Sequence, residues 1–293
     1  MIRRAETDAD LAAYAACWET VWPEDPISVD FIRERISREP ERLYLLAEDG
    51  PRVVATGCVA RSSRSGVRPV AVAVVPERRR NGLGGKLLHL CLAHARRLEA
   101  ARALGWAREN DEPSVGFAHR RGFVVTDRVV SLALDLDPGL PAPEPPEGIE
   151  IVELAEAHLR EAYAVFCEGA ADIPATETQE TRPFDDWAAQ LPAHPLTLVA
   201  LDAGHIVGYA DLELRNASIG LLDNNLTTVR RSHRGRGIAE SLKRTQIAWA
   251  SARGYRRIIT ATHDANEPMR RLNEKLGYRE LPALLDLTLE LDG

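Results

Sequence analysis

The chain has 293 residues, enough for two domains of roughly 150 residues each. It is 45% hydrophobic and 28% charged, the balance of a globular protein, and its net charge of −7 argues against general binding to nucleic acid or an anionic membrane. No apolar run reaches the ~18 residues of a transmembrane helix, and the opening residues lack the unbroken apolar stretch of a secretory signal, so a cytoplasmic location is expected.

Cys17, Cys58, Cys91 and Cys167 show no C-x-x-C spacing and are expected to be reduced thiols. His89 and His94 stand five apart on a predicted helix, off the four-residue spacing of a zinc pair, so no metal is expected. The only lysines are Lys86, Lys243 and Lys275; the arginine bias is read as compositional, without mechanistic meaning.

In chain order, a short β-like run opens at Ile2 and leads into an Ala-rich helical stretch. Strands are predicted over 43–47 and 52–60 around Asp49-Gly50, a hairpin signal, and another over 70–75. An Arg- and Gly-rich loop follows, then a helix whose Leu83, Leu87, Leu90, Cys91, His94 and Leu98 share a face. A strand, a short helix ending in Gly122-Phe123 and an apolar strand close the first half. The Pro-rich stretch 137–148 fixes φ and removes backbone donors, which marks a linker.

The same series then repeats. A β-like run at 149–152 is followed by helical sequence, strands over 196–201 and 206–214 around Ala203-Gly204, and a strand over 226–229. A second Arg- and Gly-rich loop precedes a helix with Ile238, Leu242, Thr245, Trp249 and Ala252 on one face, and the half ends in a helix closing at Gly277-Tyr278 and an apolar strand. The roughly 150-residue interval indicates a duplicated domain, not a short-repeat solenoid. The expected division is 1–137, a linker over 138–147, and 148–293, each half a mixed α/β sheet flanked by helices.

Chemistry concentrates at the two strand–loop–helix junctions. Glycines permit tight turns and close ligand approach, a helix N-terminus offers unpaired N–H groups, and arginines add ionic contacts, a combination suited to a pyrophosphate. A Walker A loop is excluded at Gly85-Lys86, because Arg80 and Leu87 stand where Gly and Ser or Thr belong. A dinucleotide G-x-G-x-x-G is excluded because Leu87 and Glu240 replace the third glycine. The pattern present is Arg-x-x-Gly-x-Gly/Ala, as Arg79-Arg80-Asn81-Gly82-Leu83-Gly84 and as Arg234-Gly235-Arg236-Gly237-Ile238-Ala239.

This pattern, twice in register after a strand and before an amphipathic helix, resembles the pyrophosphate loop of the GNAT N-acetyltransferase family. The segment from Asn266 to Gly277-Tyr278 is similar to that family's closing helix, and Asp111, or Asn110 at a one-residue offset, takes the place of Asn266 in the first half. The resemblance covers nearly the whole chain. It implies two consecutive GNAT-like domains with acetyl-coenzyme A as co-substrate, bound through Val75, Arg79, Arg80, Asn81, Gly82 and Gly84 in the first half. In the second, Val229, the six residues from Arg234 to Ala239, Asn266 and Asn273 would serve. It also implies that two parallel strands splay apart after Val75 and after Val229 to admit the pantetheine arm.

Many members of the family place a Tyr that acts as an acid in the last helix. Here Asn273 stands there in the second half and Ala118, or Phe117 after a one-residue slide, in the first, and an amide cannot transfer a proton at neutral pH. Asp223 is the first choice for a general base, ahead of Asp211 and Glu213. Asp172 and Glu177, in the acidic loop 168–180, are the candidates for holding a cationic amine. Trp187, Trp249 and Tyr278 are read as packing residues. The expectation is acetyl transfer to a primary amine of a small molecule, with the second half catalytic. The alternatives are a non-catalytic coenzyme A sensor or scaffold and a protein-modifying acetyltransferase. Tandem members include actinobacterial enzymes that acetylate the cysteinyl amine of a sugar thiol, but no acceptor-specific motif is present. The expected assembly is a monomer whose copies mimic a dimer, or a homodimer.

Overall fold

A computed structural model describes residues 1–23, 25–62, 65–139, 142–173 and 182–291. In chain order the first series is β1 (Ile2–Arg4), α1 (Asp8–Val21), α2 (Val29–Arg38), β2 (Leu43–Asp49), β3 (Arg52–Val59), β4 (Val67–Val74), α3 (Leu83–Arg97), β5 (Arg102–Arg108), α4 (Glu112–His119) and β6 (Val124–Asp135). The second is β7 (Ile149–Glu153), α5 (Leu159–Ala171), α6 (Phe184–Ala188), β8 (Leu196–Asp202), β9 (His205–Asn216), β10 (Leu221–Val229), α7 (Ile238–Ala252), β11 (Arg257–His263), α8 (Glu267–Lys275), β12 (Arg279–Glu280) and β13 (Leu284–Glu290).

The chain forms two compact units, and they do not follow the expected division at 138–147. One comprises Met1–Asp127 with Leu284–Gly293; the other is Arg128–Ala283. The closing strands are exchanged between the sequence halves. β13 pairs antiparallel with β5 from Leu284–Arg108 to Glu290–Arg102, while β6 pairs antiparallel with β11 from Asp135–Arg257 to Val129–His263. The first unit's strands run β1-β2-β3-β4-β5-β13, and the second's run β6-β11-β10-β9-β8-β7, with β12 beside β6.

Alternation along the strands fills both faces of each sheet. On β2, Leu43, Leu45 and Ala47 pack with Leu87, Cys91 and Ala95 of α3, while Tyr44 and Leu46 pack with Leu11, Tyr14 and Trp18 of α1 and Ile32 of α2. In the second unit Leu196, Leu198 and Ala200 face Ile238 and Leu242 of α7, and Val199 faces Ala162 and Val165 of α5 with Trp187. Trp187 and Tyr278 are core residues, as expected, and Trp249 stacks on Tyr255. The expected face of α3 is corrected at Leu90, which is exposed; Leu88 is buried instead. The four cysteines are free thiols.

One close approach shapes the ground on which the second unit's site is built. A Cβ on Gly169, in the last turn of α5, would fall 2.1 Å from Oγ1 and 2.4 Å from Cβ of Thr228. Only glycine lets α5 lie this near β10. Gly169→Ala is therefore expected to destabilise the chain by about 1–3 kcal/mol through overpacking, read as a lower urea midpoint at unchanged m-value.

Candidate functional site

Each unit has a cleft where a glycine loop meets a pair of parting parallel strands. In the first, β4 and β5 pair only over Val67–Arg102, Arg68–Ala103 and Pro69–Leu104. In the second, β10 and β11 pair over Leu221–Arg257, Leu222–Ile258 and Asp223–Ile259. The splay thus begins after Pro69 and after Asp223, well before the expected Val75 and Val229. The devices differ. Pro69 removes a backbone donor. On β10 an extra residue sits between the Asn224–Leu212 and Thr227–Ala210 pairs, a bulge stitched by the buried Asp211. The Asp211 carboxylate accepts from the Leu226 N–H at 3.1 Å and from Asn225 Nδ2 at 3.2 Å, and His194 Nδ1 lies 3.0 Å from it. Asp211 is consumed in holding the backbone.

The loops are internally alike. Arg79 Nε donates to the Val74 carbonyl at 3.1 Å, and Arg234 Nε donates to the Val229 carbonyl at 3.0 Å. The counterpart of Val229 is therefore Val74, one residue before the expected Val75, which is buried outside the cleft lining. Gly82 and Gly237, at φ 79° and 78°, are the N-caps of α3 and α7, and neither helix has a side-chain cap. Their first-turn N–H groups are left for an anion, at the positive end of the helix dipole. Gly235 is left-handed at φ 78°, and in the first copy Arg80 holds the same conformation at φ 65°.

The cleft of the second unit has a volume of about 660 Å³; Val229, Arg234, Gly235, Gly237, Ile238, Ala239 and Asn266 line it, together with Asp172. That of the first, about 380 Å³, is lined by Arg79, Arg80, Gly82 and Gly84, but not by Asn81. Arg236 turns away to pair with Asp202, Nη1 to Oδ2 at 2.6 Å. Asn266 lines its cleft while its Oδ1 caps α8 at the Met269 N–H. Asn273 is wholly buried, neither side-chain amide atom has a hydrogen-bond partner among the described residues, and it lies outside the cleft lining.

The candidate acceptor and base residues are placed as follows. Asp172 forms ion pairs with Arg231 and Arg234, and these guanidiniums hold its carboxyl down at about 2. Its charge is already compensated, which removes the reason for assigning it a cationic amine. Glu177 lies outside the described residues. Asp223 is half-buried on the last paired rung of β10, 3.7 Å from Arg215 Nη1, and outside the cleft lining. Arg79 and Arg80 form no ion pair among the described residues.

Sequence reasoning missed Lys243. It stands in the second turn of α7, 1% exposed, in the wall of the second cleft, and its ammonium donates to Asn224 Oδ1. The available signal was its rarity: one of three lysines, adjacent to Leu242 on a helix that faces the sheet. Among the described residues there is no group of three or more metal-ligating side chains, and no helix is long and apolar enough to cross a membrane.

Fold and clefts together define a duplicated α/β protein in which each copy joins a glycine loop to a pair of parting strands. The model of the acetyltransferase (GNAT) family matches residues 11–123 and 154–278, and the chain belongs to that family. It is 30% identical over 214 residues to a mycothiol acetyltransferase of Kytococcus sedentarius, a match covering 68% of this chain and 66% of that relative's length. In fold it is similar to a GCN5-related N-acetyltransferase from Sphaerobacter thermophilus (TM-score 0.80, 22% identity, 100% of this chain and 96% of the other). It is also similar to a tandem GNAT protein from the clavulanic acid biosynthesis pathway, with a TM-score of 0.80, 18% identity, and 100% and 99% coverage.

Burial pulls the Lys243 ammonium down to about 7, partly opposed by Asp223. An unfolded lysine titrates near ~10.4, so between about pH 7 and ~10 the unfolded chain holds a proton that the folded chain lacks. Stability from this group rises with pH across that window, and below it the cost of the buried charge is fully present. The urea midpoint is expected to climb between pH 7 and 9.5 more steeply in the wild type than in Lys243→Met.

Proposed function

We propose that the chain transfers an acetyl group from acetyl-coenzyme A to a primary amine of a small-molecule acceptor, with turnover in the second copy. The observation that carries this is the second cleft, which runs from the uncapped N-terminus of α7 at Gly237 to the point where β10 and β11 cease to pair, after Asp223 and Ile259. The loop N–H groups would hold the diphosphate. Backbone groups of β10 beyond Asn224, released from β11, would pair with the pantetheine arm. Asp223, at the inner end of the gap, is the candidate to take a proton from the acceptor ammonium so that the neutral amine can attack, and the coenzyme supplies the activated acyl group. The mycothiol acetyltransferase relative supports including that enzyme's acceptor in the amine panel.

A second reading, coenzyme binding without turnover, is favoured by one feature: Asn273, at the position of the usual acid, is buried away from the cleft. Thioester consumption with the amine panel separates the two. Asp223→Asn is expected to lower kcat at least a hundredfold with little change in coenzyme affinity; unchanged turnover removes Asp223 from the mechanism.

Coenzyme binding itself is tested by titration. Gly237→Glu places a side chain and a negative charge against the diphosphate and is expected to weaken the second site at least tenfold, about 1.4 kcal/mol. Gly82→Glu is expected to do the same at the first, whose Arg79 and Arg80 are not paired with carboxylates among the described residues. A wild type with one site, unaffected by Gly82→Glu and abolished by Gly237→Glu, would leave the first loop without a ligand.

A further inference from the structure

The two copies place opposite chemistry at equivalent positions. The interval that carries Gly82 onto Gly237 also carries Pro69 onto Asn224, Leu88 onto Lys243 and Cys91 onto Gln246. The inner end of the first cleft is apolar, with Leu88 in its wall; that of the second is a buried hydrogen-bonding cluster.

The side-chain acceptors of Asn224 and Gln246 are engaged, while donors are left over. Asn224 Oδ1 accepts from Lys243 and from Thr227 Oγ1 at 3.4 Å, and Asn224 Nδ2 donates to Gln246 Oε1 at 3.0 Å and to the Asp211 carbonyl at 3.1 Å. The Asn224 carbonyl accepts from Thr260 Oγ1 at 3.0 Å. Gln246 Nε2 has no hydrogen-bond partner among the described residues, and the Lys243 ammonium spends one of its three N–H donors on Asn224. The Tyr278 ring lies 5.3 Å from Nζ, and no carboxylate among the described residues forms an ion pair with it. Asp223 acts on Lys243 through its field, from a rung where its carboxylate lies 3.7 Å from Arg215 Nη1. A buried lysine with spare donors and no ion-paired carboxylate among the described residues, in the wall of a cleft, calls for an anion brought in through that cleft.

The position of that anion follows from the strands. An arm laid between β10 and β11 from the Gly237 end must stop where they rejoin, at Asp223 and Ile259, beside Asn224 and Lys243. The part of an acyl thioester that reaches this point is its acyl group. We propose that the second copy accepts, besides an acetyl thioester, a carboxylate-bearing one, a dicarboxylic-acid monothioester of coenzyme A, with Lys243 pairing with the free carboxylate. This rests on the reading that coenzyme A occupies the second cleft. Transfer keeps its balance: the C–N bond to the acceptor forms as the C–S bond breaks, the coenzyme leaves as the thiol, and the acceptor ammonium releases one further proton.

The test is calorimetry on the full chain carrying Gly82→Glu, chosen to weaken binding at the first loop so that the second site is read, with coenzyme A, malonyl-coenzyme A and its neutral shape analogue butyryl-coenzyme A. Malonyl-coenzyme A is expected to bind at least tenfold tighter than butyryl-coenzyme A, and Lys243→Met to erase that ratio while Lys243→Arg retains part of it. Equal affinities in the parent chain, or a ratio that survives Lys243→Met, would overturn the inference while leaving the coenzyme site standing. No binding of coenzyme A itself would overturn the coenzyme reading and this inference together. The parent ratio needs no variant at Lys243, so a Lys243→Met chain that fails to fold still leaves a decisive comparison.

Discussion

The parting of β10 from β11 after the Asp223–Ile259 rung is the constraint on which the second site depends. Parallel strands that stayed paired would spend their facing N–H and C=O groups on each other and leave no gap beside the glycine loop. The separation is built, not incidental. Asp211 is buried, and its carboxylate holds both the Leu226 N–H and the Asn225 amide of the bulge, so the carboxylate substitutes for the missing ladder partners. An acidic residue on β9 that looks like a possible base in the sequence is thereby fixed in a backbone role.

The duplication lets one copy serve as the control for the other. Both keep the Arg-to-strand carbonyl bond, the left-handed glycine N-cap and the uncapped helix start, which are the features an anion needs. They differ in what surrounds them. The arginines of the second loop are engaged by Asp172 and Asp202, whereas Asp49 engages only Arg78 at the first. At the inner end, Leu88 against Lys243 changes a packing position into a polar one. Loop geometry is shared between the copies; the side chains at the far end of the cleft are not.

Much of the site was legible because glycine-rich loops are local. Arg79, Gly82, Arg234 and Gly237 sit where a strand-to-helix junction predicts, since left-handed φ and an open helix start are properties of adjacent residues. Residues one or two positions away were less legible. Val75 and Val74 are equally apolar, and only the Arg79 bond to the Val74 carbonyl tells which is the counterpart of Val229. Arg236 has the same composition signal as Arg234, yet its direction is set by Asp202, which is remote in the chain. Asn273 keeps its place in a motif, but the packing of α8 buries it away from the cleft.

By itself the sequence determined the doubled α/β order, the two loops and the family resemblance, because periodicity, turn residues and glycine spacing act over a few neighbouring positions. The tertiary structure decided which closing strand completes which sheet. β6 and β13 are both apolar, alternating strands able to pair with either β5 or β11, so no local pattern distinguishes the exchanged arrangement from the unexchanged one. It also decided the meaning of Lys243. A lysine on an amphipathic helix is ordinarily solvated, and only the approach of α7 to β10, which closes water off and leaves Asn224 as its hydrogen-bond partner, turns it into a buried charge facing a cleft.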